Sequence, residues 1–170
     1  MTVIVRAERK ADYAQVRALN LAAFSPSSVE ADIVDALRDE VSPVVSLVAE
    51  NGGDVIGHIL FSPVTIATAP QCRLMGLGPM AVAAEHRNRG VGTALVEAGL
   101  EELRRLGAHG VVVVGHPAYY PRFGFSPGEQ WHIASEYDVP ADVFMVMEIH
   151  PGALLGVSGT VKYHEAFGNA

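Results

Sequence analysis

Apolar residues recur along the chain with two periods, and the period changes from segment to segment. Where apolar residues return every three or four positions, the spacing predicts a helix with one buried side. Where β-branched and other apolar residues follow one another in short runs, the pattern predicts a strand. The predicted helices are Ala11–Phe24, Val29–Arg38, Gly90–Leu106 and a short one at Ala118–Arg122. The predicted strands are Val3–Val5, Val44–Glu50, Val55–Phe61 with an extension at Val64–Ala67, Leu74–Val82, Val111–Val114, Phe144–Ile149 and one more within Val157–Phe167.

The order of these elements predicts a mixed sheet. Asn51–Asp54 contains two adjacent glycines between two β-rich runs, so it predicts a hairpin and an antiparallel pair. The segment from Met80 to Val114 is a strand–helix–strand unit, which predicts a parallel pair with a right-handed crossover. Pro79 cannot donate to a ladder, so its strand must bulge or lose a neighbour there. We therefore expect an α/β fold with a mixed sheet, in a single domain over residues 1–170.

Composition narrows the classes of function. The chain carries 12 Lys and Arg against 19 Asp and Glu, a formal net charge of −7, which argues against nucleic-acid binding and is compatible with a cationic substrate. The single cysteine, Cys72, excludes an intramolecular disulfide and a Cys-cluster zinc site, and we expect no metal. No apolar stretch reaches the roughly 18 residues of a spanning helix, and the N-terminal residues lack the pattern of a signal peptide. We expect a cytoplasmic protein that contacts no membrane.

The most specific motif lies between the strand that ends at Val82 and the long helix. Two glycines, Gly90 and Gly92, allow the backbone to approach a ligand closely, and the first amides of a helix favour an anion. The motif lacks the Gly-Lys-Ser/Thr ending of a Walker loop, and Leu95 stands where a dinucleotide fingerprint needs its third glycine. The residues predicted to bind a diphosphate are Arg87, Asn88, Arg89, Gly90, Val91, Gly92 and Thr93.

These residues resemble a known family. Arg87 to Gly92 is similar to the acetyl-CoA motif Q/R-x-x-G-x-G/A of the GNAT superfamily of N-acetyltransferases, with Ala84 where many members have proline. Tyr120, Gly124 and Phe125 match the family's Tyr-x-x-x-Gly-Phe element, and His116-Pro117 resembles the bacterial YhbS-like subgroup. The resemblance implies a mostly antiparallel sheet, splayed at a parallel strand pair and flanked by helices. It also implies acetyl-CoA as the cosubstrate.

The resemblance assigns roles to individual residues. Met80, Ala81 and Val82 match the strand segment that pairs with pantetheine and supplies a backbone N–H to the thioester oxygen. Tyr120 occupies the position of the general acid that protonates the leaving thiolate. His116 ranks first among the candidate bases for the attacking amine, ahead of Glu85 and His58, and a water chain is an equal alternative.

The acceptor and the oligomeric state are less defined. We expect an amine-bearing small molecule or peptide, held by variable segments near Phe24–Glu30 and Glu129–Tyr137. Dimers are common in the family, so a homodimer is compatible with the resemblance. Two alternatives to the N-acetyltransferase stay open: a non-enzymatic acyl-CoA sensor, and a transferase that uses a longer acyl donor.

Overall fold

The segments with helical spacing form helices and the apolar runs form strands in a computed structural model that describes residues 2–169. The α-helices are α1 Tyr13–Ala23, α2 Val29–Glu40 and α3 Val91–Leu106. The strands are β1 Val3–Ala7, β2 Val45–Asn51, β3 Asp54–Ile66, β4 Leu74–Val82, β5 Gly110–Val114, β6 Ser126–Pro127, β7 Ile133–Ser135, β8 Phe144–Glu148 and β9 Gly159–Lys162. Short 3-10 helices occupy Lys10–Asp12, Ala84–His86, Tyr120–Phe123, Gly128–Trp131 and Glu165–Asn169.

The strands form a mixed sheet. Hydrogen bonds join them in the order β1-β2-β3-β4-β5-β8-β6, and β9 pairs with β3 and β7. The pairs β1–β2, β2–β3 and β5–β8 are antiparallel, whereas β4 and β5 are parallel and are connected through α3. The predicted mixed α/β fold is therefore confirmed, including the hairpin at residues 51–54 and the parallel crossover.

The described chain divides into two compact units. Unit 1 consists of Met1–Ser62, Gly78–Glu102 and Glu165–Ala170, and unit 2 consists of Pro63–Leu77 and Leu103–His164. Strands β3 and β4 each contribute residues to both units. The expectation of a single domain stays a prediction.

Unit 1 is built on an apolar cluster that joins α1 and α2 to the strands. The buried members are Val16, Leu19, Ile33, Val34, Leu37, Val48, Val55, Leu60 and Ala81. Phe24, Val29, Ala166 and Phe167 pack against this cluster from partly buried positions. A separate contact brings α3 close to β3, because a Cβ on Gly99 would lie 2.3 Å from Phe61 Cε2. Only glycine permits this approach of helix to strand.

Unit 2 has its own cluster, which joins β5, β8 and β9. Its buried members are Val64, Ile66, Leu74, Val112, Ile133, Phe144, Val146, Leu154 and Val161. The predicted valine run is buried on both faces as expected, since Val111, Val112 and Val113 are at most 2% exposed. Val114 ends the strand and is 46% exposed.

Two prolines fall where the sheet can accept them. Strand β3 continues through Pro63, as the predicted extension at Val64–Ala67 indicated, because pairing with β2 ends at Phe61 and pairing with β9 starts at Thr65. The parallel pairing of β4 with β5 ends at Leu77, and Gly78 (φ 140°) and Pro79 follow. The prediction that β4 loses a neighbour near Pro79 is therefore confirmed.

The ends of several elements differ in detail from the sequence pattern. The expected helix from Ala11 begins as a 3-10 turn and becomes α1 only at Tyr13. At the start of α2, the hydroxyl that accepts from Val29 N–H, at 3.1 Å, is Ser27 Oγ, whereas the N-cap residue Ser28 makes no side-chain capping bond. The strand expected within Val157–Phe167 is confirmed as β9, and a 3-10 helix follows it at Glu165–Asn169. Among the described helices, none combines the length and apolar character that a membrane crossing requires.

Candidate functional site

The predicted phosphate-binding turn lies in unit 1 between the 3-10 helix Ala84–His86 and α3. Asn88 (φ 62°) and Gly90 (φ 81°) both adopt left-handed conformations. A Cβ on Gly90 would meet no atom within 4 Å, so glycine is required there by the dihedral angle rather than by space. Left-handed residues in such a turn let successive amides converge on an anion.

The start of α3 supplies further amides. The first helical bond runs from Ala94 N–H to Gly90 O at 3.0 Å, so the amides of Val91 and Gly92 precede it. Amides at this position of a helix have no intrahelical acceptor and lie at the positive end of the helix dipole. Val91 is buried and anchors the first turn, whereas Gly90 is exposed. The turn thus presents backbone donors at an accessible surface, which is what diphosphate binding needs.

Two exposed arginines flank these amides. Arg87 Nε donates to Val82 O at 3.3 Å, which holds the base of this side chain against the end of β4. Arg89 is also exposed and follows the left-handed Asn88. Both guanidinium groups carry positive charge next to the helix start, so they add to the attraction for an anion.

The segment Met80–Val82 alternates in burial. Ala81 is 4% exposed and belongs to the unit 1 cluster, whereas Met80 and Val82 are half-buried. Successive side chains of a strand point to opposite faces, so Met80 and Val82 share the face opposite to that of Ala81. Both residues lie beyond Leu77, the last residue of β4 that pairs with β5.

Tyr120 lies in unit 2, at the start of the 3-10 helix Tyr120–Phe123. Its ring packs over Gly115, since a Cβ on that glycine would lie 2.3 Å from Tyr120 Cε2. Tyr119 and Phe125 contact the ring edge-to-face, with centroids 5.1 and 5.8 Å away. Gly124 (φ 108°) then ends the helix in a left-handed conformation. The Tyr-x-x-x-Gly-Phe element therefore builds an aromatic cage for one phenol.

This cage changes the acidity of the phenol. Burial, with a smaller contribution from Tyr119, raises the pKa of Tyr120 to about 12. Tyr120 is therefore protonated at neutral pH and has a hydroxyl proton to share. A thiol with a pKa of about 8.5 is the stronger acid, so complete proton transfer to a thiolate is uphill. This phenol is therefore suited to donating a hydrogen bond to an anionic sulfur rather than to transferring its proton completely.

His116 is exposed and its side chain folds back on the chain. His116 Nδ1 accepts from Ala118 N–H at 3.3 Å. An acceptor Nδ1 means that the neutral ring carries its proton on Nε2. In this conformation His116 can accept a second proton only by giving up the bond to Ala118.

His58, another candidate base, is fully buried in β3. Ser46 Oγ donates to Glu8 Oε1 at 2.9 Å, so the same oxygen accepts from His58 Nε2 at 2.9 Å. His58 Nδ1 faces Asn20 Nδ2 at 3.5 Å. Burial, and then the charge of Arg38, lower the pKa of His58 to about 3. His58 is thus a neutral histidine that links α1 to β2.

The other candidates are placed less favourably. Glu85 is an exposed residue of the 3-10 helix before the turn. Burial raises the pKa of the Cys72 thiol, which lowers its thiolate fraction. Phe24 packs on the unit 1 cluster and Trp131 on the unit 2 cluster, where its Nε1 donates to Ser126 Oγ at 2.8 Å. Packing therefore accounts for both aromatic residues.

Sequence reasoning missed two features of the candidate residues. Gly115 directly precedes His116. The sequence does not show that the absence of a side chain at Gly115 makes room for the Tyr120 ring. Glu30 was only one end of an expected acceptor segment, yet its Oε1 is shielded from solvent and has no hydrogen-bond partner among the described residues. The first feature requires a contact between residues five positions apart, which no periodic pattern reveals.

Comparison with known proteins identifies the relatives of this chain. A family model described as an acetyltransferase (GNAT) domain matches residues 4–128. The chain is 34% identical over 166 residues to the uncharacterized N-acetyltransferase YhbS of Escherichia coli, which covers 97% of this chain and 98% of that protein. It is 39% identical over 138 residues to the uncharacterized N-acetyltransferase YjhQ of the same species, covering 78% and 75%.

Solved structures agree with these matches. The crystal structure of Escherichia coli YhbS in complex with CoA superposes with a TM-score of 0.91 and covers 98% of this chain and 92% of that chain. A GNAT family acetyltransferase from Brucella melitensis in complex with acetyl-CoA is 38% identical, with a TM-score of 0.81 and 98% of both chains covered.

Proposed function

Because this chain belongs to the GNAT acetyltransferase family, we propose that it moves the acetyl group of acetyl-CoA to a primary amine of a small molecule or peptide. Two relatives, 34% and 38% identical, are described with CoA and with acetyl-CoA bound. The observation that carries the proposal is the turn at Asn88–Gly90 with the exposed start of α3. That arrangement suits the diphosphate of the donor. We further propose a cytoplasmic location, where acetyl-CoA is made and used.

The proposed reaction is a direct attack within a ternary complex of protein, acetyl-CoA and amine. The amine nitrogen forms a bond to the thioester carbonyl carbon, the carbon–sulfur bond breaks, and CoA leaves as a thiolate. The carbonyl oxygen gains negative charge during the attack, and a backbone N–H of Met80–Val82 is proposed as its donor. The nitrogen gives up one proton, for which His116 or a water chain is the proposed acceptor.

Tyr120 is proposed as the acid on the leaving side. Its phenol is protonated at neutral pH, as any tyrosine is, and burial raises its pKa further, to about 12. The hydroxyl therefore donates to the sulfur as negative charge develops, and water restores any proton that is transferred. This interaction is stronger in the transition state than in the bound thioester, so it lowers the barrier rather than the dissociation constant of acetyl-CoA.

The test separates an enzyme from a binding protein. Free thiol release from acetyl-CoA is measured with a panel of polyamines, aminoglycosides, amino acids and peptide N-termini, and then in two variants with a working acceptor. Tyr120→Phe keeps the ring and should lower turnover about 100-fold or more, because a placed acid contributes about 10²–10⁴-fold. Its affinity for acetyl-CoA should stay unchanged.

Tyr119→Phe is the matched control, since it removes a hydroxyl from the ring that contacts Tyr120 at 5.1 Å. We expect it to keep turnover near the wild-type value. Full turnover in Tyr120→Phe would refute the proposed role of Tyr120 as the general acid. Binding of acetyl-CoA without thiol release for any amine would favour the acyl-CoA sensor instead.

A further inference from the structure

Strand β3 carries one extra residue opposite β2. Ala49 lies opposite Gly57, whereas the next residue of β2 lies opposite Val55. Ile56 is therefore the extra residue of a β-bulge, a feature that bends a strand and often lies beside a functional site. The bulge is also held by α1, because Val55 N–H donates to Gln15 Oε1 at 3.0 Å. The direction of the β3 backbone is thus fixed locally at this point.

The bulge holds the chain that leads into the phosphate-binding turn. Ile56 O accepts from Ala83 N–H at 2.8 Å, one residue after the end of β4. Ala83 directly precedes the 3-10 helix Ala84–His86, which leads to the left-handed residues of the turn. One end of the turn is therefore fastened to the extra residue of β3.

The next residue of β3 makes room for the other end of the turn. Gly57 is buried under the first turn of α3, since a Cβ on it would lie 2.9 Å from Val91 Cγ1 and 3.0 Å from Leu95 Cδ1. Val91 is 3% exposed and begins α3, so its amide is one of those without an intrahelical acceptor. Two adjacent residues of β3 thus hold both ends of the turn.

The neighbours of Gly57 differ in how easily they yield to a larger side chain. Leu95 Cδ1 is the end of a flexible side chain and can turn aside. Val91 is β-branched and has one strongly preferred χ1 in a helix, so its Cγ1 moves away only into an unfavourable rotamer. Ala49 Cβ, 3.3 Å from the added carbon, blocks the other side. A Cβ at position 57 must therefore displace the backbone of Val91.

From the hydrogen bond at Ile56 and the close approach at Gly57 we propose that Gly57 is a positioning residue for the donor site. The absence of its side chain lets α3 begin close enough to β3 for the amides of Val91 and Gly92 to converge on the diphosphate together with those of the turn. Gly57 acts through Val91 and not by touching the ligand. The inference rests on the proposed function, since it takes this turn as the diphosphate site of acetyl-CoA.

The experiment measures calorimetric affinity for acetyl-CoA, and kinetics with a working amine, in Gly57→Ala. The dissociation constant and the KM for acetyl-CoA should rise about 10-fold or more, the effect of weakening a charge-assisted hydrogen bond. The kcat at saturating acetyl-CoA should stay near the wild-type value, because the substitution displaces amides of the diphosphate site and no proposed catalytic group. A general loss of folding would not divide KM from kcat in this way.

A second variant relieves the crowding. Val91→Ala removes the Cγ1 that a Cβ at position 57 would meet at 2.9 Å. In this background the further change Gly57→Ala should alter acetyl-CoA affinity little, because the effects of two residues in contact are not additive. A loss of affinity in Gly57→Ala that persists in full in the Val91→Ala background would contradict the proposed route through Val91.

Gly99→Ala is the matched control. It makes the same substitution between α3 and β3, where the added Cβ would lie 2.3 Å from Phe61 Cε2, but about two turns further along the helix. It should lower the melting temperature at least as much as Gly57→Ala and leave acetyl-CoA affinity nearly unchanged, because the crowded residues lie away from the first amides of α3.

The outcomes separate the inference from the proposed function. Wild-type affinity in a folded Gly57→Ala, or affinities that fall in proportion to melting temperature in both glycine variants, would overturn the inference and leave acetyl-CoA binding intact. Acetyl-CoA binding without thiol release for any amine would remove the proposed transfer and leave the inference standing. Absence of acetyl-CoA binding in the wild type would remove both.

Discussion

Mild acid should destabilise the protein through His58. The native pKa of His58 is about 3, against 6.5 for an unperturbed imidazole, because the ring is buried beside Arg38. As the pH falls below 6.5 the unfolded chain takes up a proton that the native chain does not. The stability contributed by neutral His58 is thus fully present above pH 6.5 and is lost progressively as the pH falls toward 3.

The magnitude follows from proton linkage. Each pH unit between the two pKa values changes the free energy of unfolding by about 1.36 kcal/mol per proton. From pH 6.5 to about pH 4.5 the loss is therefore about 2–3 kcal/mol, a large part of the roughly 5–15 kcal/mol of a typical domain. This window stays above the range in which Asp12 contributes, since its pKa is lowered from 3.8 to about 2, first by the hydrogen bond from Arg6.

Urea unfolding at several pH values between about 7 and 4.5 measures this effect. The glutamine of His58→Gln cannot take up a proton. The slope of its unfolding free energy against pH should therefore be smaller than that of the wild type by about 1.36 kcal/mol per pH unit, the value for one proton. The other six histidines are present in both proteins, so their contributions cancel in the comparison. Parallel pH profiles for wild type and His58→Gln would refute the reasoning, whatever the baseline stability of the variant.

Two further predictions concern glycines of the proposed site. In calorimetry, Gly92→Val should weaken acetyl-CoA binding more than Arg87→Ala does. A branched side chain at position 92 would block approach to the amides at the start of α3, whereas the exposed Arg87 contributes only charge to binding. Unchanged affinity in Gly92→Val would contradict this placement of the diphosphate. Gly115→Ala places a Cβ 2.3 Å from the Tyr120 ring and should cost about 1–3 kcal/mol of stability by overpacking, together with a loss of thiol release. An unchanged melting temperature in Gly115→Ala would show that the ring moves at no cost.

The long periodic segments were predictable from the sequence because they reflect burial. Leu95 and Leu103 of α3 are fully buried, as their spacing indicates, and Val111–Val113 form a strand buried on both faces. Leu106 continues the same spacing after Leu103 but is 46% exposed, because it is the last residue of α3 and Gly107 follows. Periodicity identifies a face of a helix without fixing how far along the helix that face is covered.

Features that depend on pairing between distant segments were beyond the sequence. The extension of β3 past Pro63 was predicted, but a local pattern cannot reveal that β3 changes its partner from β2 to β9 at that point. The neutral state of His58 likewise depends on its burial and on the charge of Arg38, which lies in α2. The turn before α3 was predictable from the sequence because it depends on one residue, Gly90, whose positive φ favours glycine.

The composition of the unit 1 cluster has a consequence for synthesis on the ribosome. Phe167 and Ala166 pack on a cluster whose other members come from residues 16–83. The ribosome must therefore add the whole of unit 2 and then these two residues before the cluster is closed. Until then the cluster lacks part of its covering in the nascent chain. Translation speed and chaperone binding during this interval should therefore influence the yield of folded protein.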